Sequence, residues 1–185
     1  MNAFWIYCFI PFFIFPTLTS AKQYYSTQEA STIRFDISHT RHGLVKGGFS
    51  TIESELFWDS QNSVSSNVSC KIYVDSIYTG NRVRDNHLKS FVFFYKKKHP
   101  MILFNSDDIR QLSTHTYEAN GILIIRGVSI PYTIPFELQY VNEGVRILSK
   151  LSILRKPFGL TAYGRLISPT ASVTLDMVYN VRDDL

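Results

Sequence analysis

The fold of this chain is decided by residues 76–104, which read SIYTGNRVRDNHLKSFVFFYKKKHPMILF. Gly80 suits a tight turn because glycine tolerates backbone angles that other residues avoid. The amide oxygen of Asn81 can accept hydrogen bonds from backbone N–H groups two or three residues later, so Asn81 is suited to cap a helix. We therefore predict a short helix over Arg84–Ser90, within residues 81–90.

The same segment continues with aromatic residues, a lysine run and a proline. Phe93 and Phe94 precede Lys96–Lys98, which favours either a solvated loop or a contact with anionic headgroups. Pro100 cannot donate a backbone hydrogen bond, so it belongs at the first position or the edge of a strand. We predict that this strand covers Met101–Phe104.

Alternation of apolar and polar side chains dominates the rest of the chain. In residues 33–38, for example, the apolar Ile33, Phe35 and Ile37 alternate with polar residues, which is typical of a strand with one buried face. The same pattern predicts strands over residues 49–58, 70–74, 117–126, 133–140, 145–153 and 173–179. About eight strands joined by short turns favour antiparallel pairing in a closed barrel or a sandwich.

The first 21 residues contain no charged side chain and are rich in phenylalanine and isoleucine. Pro11 and Pro16 interrupt this apolar run, which is short for a membrane span, and Thr19-Ser20-Ala21 offers small residues for cleavage. We predict an export signal over residues 1–21 and one domain over residues 22–185, with a permanent N-terminal anchor as the alternative. Export would place the domain in the periplasm of a Gram-negative bacterium, or outside the cell otherwise.

Composition and spacing argue against several classes of function. The formal net charge of +4 is spread along the chain, which does not indicate nucleic-acid binding. Cys70 would be the single cysteine left after cleavage, and we expect it to be a small buried apolar residue. His39 and His42 are three residues apart, so on a strand they point to opposite faces and would converge only if a helix or turn intervened. With no cysteine or carboxylate cluster beside them, we do not expect a zinc site. No nucleophile motif or phosphate loop is present, and we expect no cofactor.

These motifs together resemble the YceI-like family, exported lipid-binding proteins with a lipocalin-like antiparallel barrel. In the opening segment the match consists of Arg84-Asp85, His87-Leu88-Lys89-Ser90, Phe93-Phe94, Lys98-His99-Pro100 and Phe104. Two further elements agree, namely Gly121–Val128 followed by Pro131, and Arg155 followed by Phe158-Gly159. Ala30 and Val92 depart from the family pattern, where a histidine and an acidic residue are usual. The resemblance implies an all-β barrel of about eight strands, with a short helix near residues 81–90.

A barrel of this size is wide enough either to fill itself with side chains or to hold one slender ligand. Burial of a hydrocarbon chain is favourable by about 0.8 kcal/mol per CH₂, so an apolar tunnel binds such a chain without any catalytic group. Each candidate residue is either a tunnel liner or ordinary core. The candidates on strands with inward parity are Phe35, Ile72, Val74, Phe104, Phe136, Leu138, Ile147, Leu151, Val173, Leu175 and Met177. Those near the helix and the last strands are Arg84, His87, Phe93, Phe94 and Phe158.

Arg84, Asp85 and His87 allow two interpretations. An ion pair between Arg84 and Asp85, with a hydrogen bond from His87 to a backbone carbonyl, would fix the helix over one end of the barrel. Alternatively, Arg84 or His87 contacts a polar lipid headgroup at the mouth of a pocket. Arg126 and Arg155 leave the same choice between a structural role and a headgroup contact.

We therefore expect a protein that sequesters or carries a long-chain isoprenoid or acyl lipid without chemistry. One alternative is an envelope enzyme that acts on a lipid headgroup, with His87 and Asp85 as an acid/base pair. Another is a surface or stress-related interaction module with a vestigial pocket. Transient contact with a membrane surface is expected, and the choice between monomer and homodimer stays open.

Overall fold

The structure, a computed structural model, describes residues 21–26, 30–142 and 144–181. The predicted export signal lies outside these residues except for Ala21. Within the described ranges, none of the helices is long and apolar enough to cross a membrane. The strands are β1 (Lys22–Ser26), β2 (Thr32–His39), β3 (Gly43–Phe49), β4 (Ile52–Trp58), β5 (Asn67–Tyr73), β6 (Ile77–Tyr78), β7 (Met101–Gln111), β8 (Thr116–Ile125), β9 (Val128–Val141), β10 (Gly144–Leu154) and β11 (Thr170–Val181). A single α-helix of the described chain, α1, covers Arg82–Lys89.

The strands form a closed antiparallel barrel. Strand β1 pairs with β4 on one side and with β11 on the other, so the ring β1-β4-β5-β7-β8-β9-β10-β11 has no free edge. Three further strands extend positions of this ring. Strand β2 pairs with β11 beyond β1 and so continues the position of β1. Strand β3 pairs with β2, and β6 pairs with β3, so they continue the positions of β4 and β5. The barrel therefore has eight strand positions, three of which are broken. This confirms the predicted fold and decides against a sandwich.

Several boundaries differ from the sequence prediction. Strand β7 continues past Phe104 to Gln111, and its register shifts between Ser106 and Asp108, which breaks the alternation that sequence reading relies on. The strand predicted over residues 49–58 is broken between β3 and β4, where the chain changes pairing partner. Helix α1 starts at Arg82 rather than Arg84, directly after its Asn81 cap.

The turn between β8 and β9 consists of two residues with left-handed backbone angles. Arg126 has φ 54° and Gly127 has φ 74°, and two such angles in succession are typical of a tight hairpin turn that matches strand twist. A Cβ at Gly127 would lie 2.5 Å from the ring of His99. Glycine is therefore needed at this position for both its backbone angle and its lack of a side chain.

The barrel has two different ends. The filled end contains the β4–β5 connection and the β7–β8 turn, together with a packed core from neighbouring strands. The lid end contains the β2–β3 turn, α1, the β8–β9 turn and the β10–β11 connection. Buried residues of the filled end include Tyr24, Leu56, Trp58, Ile109, Tyr117, Phe136, Leu138, Val145 and Tyr179.

Aromatic side chains close the filled end. The ring of Tyr117 stacks on Phe136 at 5.6 Å and meets the edge of Trp58 at 5.1 Å. The indole N–H of Trp58 donates to the hydroxyl of Tyr140 at 3.2 Å. Below them, the hydroxyls of Ser54 and Tyr179 hydrogen-bond at 2.9 Å. The buried polar groups of Trp58, Ser54 and Tyr179 are thus satisfied within an otherwise apolar core.

Candidate functional site

A cavity of about 900 Å³ lies at the lid end, between the barrel and α1. Most of its wall is apolar and comes from strand positions that face the barrel interior and from the β10–β11 connection. The apolar lining residues are Phe35, Ile37, Val45, Phe49, Val83, Leu88, Phe93, Phe94, Ile102, Ile125, Ile153, Leu160, Tyr163, Leu166, Ile167, Ala171 and Val173. The polar ones are His39, Arg41, His42, Asn81, Arg84, Asn86, His87, Ser90 and Arg155.

Helix α1 forms one wall of the cavity, and its first turn is fixed by local hydrogen bonds. The side-chain oxygen of Asn81 accepts from the backbone N–H of Arg84 at 3.0 Å, as the sequence predicted. Arg84 donates through Nε to the hydroxyl of Thr79 at 2.8 Å and through Nη2 to the Thr79 carbonyl at 2.8 Å. The Thr79 hydroxyl donates in turn to Asp85.

The ion pair predicted between Arg84 and Asp85 is not present among the described residues. Both side chains bind Thr79 instead, so the threonine hydroxyl links them. The reason is the helical spacing, because adjacent residues on a helix diverge while a preceding loop residue can reach both. The helix is therefore held over the barrel end, but by a threonine bridge.

Two groups of contacts fasten the lid segment, defined as residues 79–100, to the barrel. Lys96 and Lys89 form ion pairs with Asp75 at 2.8 and 3.4 Å, and the hydrogen bond from Lys96 is the main reason that the pKa of Asp75 is lowered. Arg126, in the β8–β9 turn, donates to the carbonyls of Phe91 and Gly159. Arg126 thus joins the lid segment to the β10–β11 connection.

Aromatic contacts form the cavity wall beside the helix. The ring of His87 lies 5.2 Å from that of Phe93 and 5.8 Å from that of Tyr163, and Phe93 stacks on Tyr163 at 6.1 Å. Phe94 meets Phe49 of β3 edge to face at 6.3 Å. The hydrogen bond predicted from His87 to a backbone carbonyl is absent from the described residues, since its ring packs among aromatic rings instead.

Arg155 lies at the start of the β10–β11 connection and is only 7% exposed. Its Nη1 donates to the Ser168 carbonyl at 3.0 Å and its Nη2 to the Ala162 carbonyl at 3.2 Å. Desolvation by burial lowers its pKa. Arg155 thus has the structural role that the sequence left open, and it also lines the cavity.

The structure divides the predicted ligand-binding residues into two groups. Those in the cavity wall are Phe35, Arg84, His87, Phe93, Phe94 and Val173. The others lie outside that wall, and most of them pack in the core: Ile72, Val74, Phe104, Phe136, Leu138, Ile147, Leu151, Phe158, Leu175 and Met177. Strand parity indicates which residues face inward, but it does not indicate their depth along the barrel.

Several cavity residues were missed although a signal for some of them was present. Ile102, Ile153 and Ala171 have the same parity as predicted residues but lie two positions nearer the lid end. Leu160 and Ile167 lie in an irregular connection, which no periodicity describes. His39 and His42 were considered only as ligands of a zinc site that we did not expect, and Arg41 was not considered at all; the described residues contain no group of three or more potential metal ligands.

The cavity wall contains no aspartate or glutamate among the described residues. Asp85 does not line it, and no hydrogen bond links Asp85 with His87 among the described residues. Cys70 is partly buried in β5, and burial raises the pKa of its thiol to about 12, which keeps the thiol protonated. The arrangement offers an apolar enclosure with polar groups gathered near one side.

The sequence matches a family model over most of its length. The model is described as a YceI-like domain and matches residues 24–179. A "UPF0312 protein" of Pseudomonas putida is 28% identical over 112 residues, and a similar protein of Vibrio campbellii is 28% identical over 114 residues. These matches cover 60% and 62% of this chain, and the chain spans only 57% and 59% of the two relatives.

Solved structures share the barrel. BcnA of Burkholderia cenocepacia superposes with a TM-score of 0.78 at 16% identity, over 83% of this chain and 98% of that one. A polyisoprenoid-binding domain from Saccharophagus degradans gives 0.70 at 17% identity, over 85% and 98%. A Campylobacter jejuni YceI protein gives 0.65 at 25% identity, over 76% and 86%.

Proposed function

The chain belongs to the YceI-like domain family, and from this premise we propose that it binds one long-chain isoprenoid or acyl lipid in the cavity at its lid end. The observation that carries the proposal is the cavity itself. Its volume of about 900 Å³ lies in the range of ligand sites, about 300–1,000 Å³, and its wall is mainly apolar. A hydrocarbon chain gains about 0.8 kcal/mol per buried CH₂ in such a place.

The isoprenoid class is supported by the family and by one structural neighbour. The Saccharophagus degradans domain of the same fold binds a polyisoprenoid. Branched isoprenoid chains and straight acyl chains are both apolar, and the aliphatic and aromatic wall around Phe49, Ile125 and Val173 accepts either. An isoprenoid is thus the first ligand to test, with an acyl lipid as its closest rival.

The protein acts by sequestering or carrying the lipid, without changing it. The acid/base pair that an enzyme would need, Asp85 with His87, is separated by their different partners, Thr79 and Phe93. A vestigial pocket is equally disfavoured, because a cavity that had lost its ligand would be expected to fill with side chains. A lipid carrier uses the open volume directly.

Export and loading at a membrane surface complete the proposal. The uncharged first 21 residues support export to an envelope or extracellular space. The lid-end segments, residues 37–46, 75–101, 125–129 and 153–171, contain twelve lysines and arginines against two acidic residues, Asp75 and Asp85. This excess of positive charge supports transient contact between the cavity mouth and an anionic membrane.

The test is to purify the protein under native conditions and identify bound molecules. Native mass spectrometry should show an added mass, and solvent extraction should release a long-chain lipid of that mass. Reloading the delipidated protein with an isoprenoid alcohol should restore a one-to-one complex. A protein that contains no lipid from any host and takes up none would refute the proposed function.

A further inference from the structure

The arginines of the cavity wall are not balanced by any acidic residue of that wall. Three elements supply its basic side chains: the β2–β3 hairpin with His39, Arg41 and His42, helix α1 with Arg84 and His87, and the β10–β11 connection with Arg155. The remaining polar lining residues, Asn81, Asn86 and Ser90, are neutral, and the wall contains no aspartate or glutamate. A neutral lipid headgroup would not require such a distribution.

Arg155 is the most deeply buried of these cations. Its two hydrogen bonds go to the carbonyls of Ser168 and Ala162, and it forms no ion pair among the described residues. Taking a charge out of water without an opposite charge costs free energy, so buried cations are usually paired. An anion that entered the cavity would supply the missing charge.

The hairpin adds a second, independent observation. The rings of His39 and His42 lie 4.5 Å apart, and Nδ1 of His39 accepts from the backbone N–H of Arg41 at 3.1 Å. Partial desolvation, together with the positive charges of His42, Arg41 and Arg84, lowers the pKa of His39. The nearest carboxylate on the facing helix, Asp85, is bound to Thr79 and lies outside the wall.

We propose that the lipid carried by this cavity has an anionic headgroup, a carboxylate or a phosphate, held between the β2–β3 hairpin, α1 and Arg155. The inference rests on the proposed function and names the chemical class of its ligand. The apolar chain occupies the part of the cavity lined by Phe49, Ile125 and Val173. Guanidinium groups bind carboxylate and phosphate oxygens with charge-assisted hydrogen bonds.

The experiment compares lipids that share a chain and differ in the headgroup. Delipidated protein is titrated with hexadecanoic acid and hexadecanol, and with farnesyl phosphate and farnesol. Each anion should bind about tenfold more tightly than its alcohol, as charge-assisted contacts predict.

Variants locate the headgroup. The double change Arg41→Gln with His42→Gln alters exposed side chains of the hairpin and should reduce the preference for the anion without lowering the melting temperature. Arg165→Gln, in the β10–β11 connection but outside the wall, is the matched control and should leave the preference intact. Arg155→Gln should reduce it further, and thermal melting identifies any unfolding of that variant.

The outcomes separate the two proposals. Equal affinities for acid and alcohol would overturn the anionic headgroup while leaving lipid binding in place. Loss of the preference in Arg165→Gln as well as in the hairpin variant would also overturn it, because a general charge effect would then explain the result. No binding of any of the four lipids would refute the proposed function itself.

Discussion

The filled end and the lid end of this barrel are made from the same eight strand positions, yet the lid end contains a cavity of about 900 Å³ and the filled end a packed aromatic core. At the filled end, large aromatic side chains such as Trp58, Tyr117 and Phe136 project inward and contact one another. At the lid end, the strand positions facing the cavity include small residues such as Ile153, Ala171 and Val173 beside the larger Phe35 and Phe49. Smaller side chains at some of these positions leave part of the interior open.

The ends also differ in charge. The lid-end segments are strongly basic, whereas residues 21–26, 55–67, 106–118 and 135–142 at the filled end contain six acidic residues and two basic ones. This polarity produces a field along the barrel axis that attracts anions towards the cavity. We therefore expect the filled end to contribute most of the stability and the lid end to bind the proposed ligand.

The largest effect should come from filling the cavity. Ala171→Trp places an indole where the lid-end wall has a methyl group, and it should abolish lipid binding. Native mass spectrometry measures the loss of the bound lipid. Leu138→Ala, which enlarges the filled end instead, is the control and should retain the lipid at full occupancy. Lipid retained in Ala171→Trp would mean that the cavity is not the binding site.

The second effect concerns stability. Phe136 lies in the filled end and is 4% exposed. The substitution Phe136→Ala should lower the free energy of unfolding by about 3–5 kcal/mol, because the smaller side chain leaves an unfilled space. Phe94→Ala at the lid end should cost less, because the ring already borders open volume. Urea unfolding monitored by circular dichroism gives both values. Equal costs at the two ends would contradict the division of roles.

A smaller effect is expected from the helix cap. Asn81→Ala removes the acceptor for the backbone N–H of Arg84 and should cost about 1 kcal/mol of unfolding free energy. The looser lid should release lipid faster in a stopped-flow displacement assay. Arg82→Ala changes an exposed residue of the same helix and should leave the release rate nearly unchanged. Similar rates in both variants would show that α1 does not gate the cavity.

The smallest effect is a pH dependence on the barrel wall. Arg146 donates to the Asp176 carboxylate through Nε at 2.8 Å and through Nη2 at 2.7 Å. These hydrogen bonds hold the pKa of Asp176 below its usual value. A carboxyl whose pKa is lowered by folding stabilises the protein above its unfolded pKa of about 3.9, and this contribution is lost as the pH falls through the lower folded value. Both side chains are partly exposed, so the contribution is about 1 kcal/mol or less.

Unfolding measured from about pH 6 to about pH 3 checks this sign, since Asp176→Asn should flatten the profile. The lid-end carboxylate Asp75 has a lowered pKa too, but its side chain is 66% exposed. Asp75→Asn should therefore change the profile less than Asp176→Asn. A larger change at Asp75 would show that the lid contributes more to stability than its exposure suggests.

Much of the fold was accessible from the sequence because it depends on local patterns. Alternation at Ile33, Phe35 and Ile37 predicts a strand whichever residues it later pairs with. The Asn81 cap depends only on residues within one helical turn. The break between β3 and β4 was not predicted, because it results from a change of pairing partner that has no local signature.

The site was less accessible than the fold. Phe136 and Val173 have the same inward parity and similar apolar character, yet Phe136 packs against Tyr117 while Val173 lines the cavity. Whether such a residue packs in the core or lines the cavity depends on which side chains the other seven strand positions have at the same depth in the barrel. Parity is a property of one strand, whereas depth is a property of the closed ring.

The sequence by itself therefore determined the all-β architecture, the capped helix and the family, since alternation, capping and motif order are all written along the chain. Only the tertiary structure decided which end of the barrel remains open and which cations face the cavity. His39, Arg84 and Arg155 are far apart in sequence, and they line one cavity because barrel closure brings three connections to one end. Such proximity depends on how all the strands pair around the barrel, and no single segment of the sequence encodes that pairing.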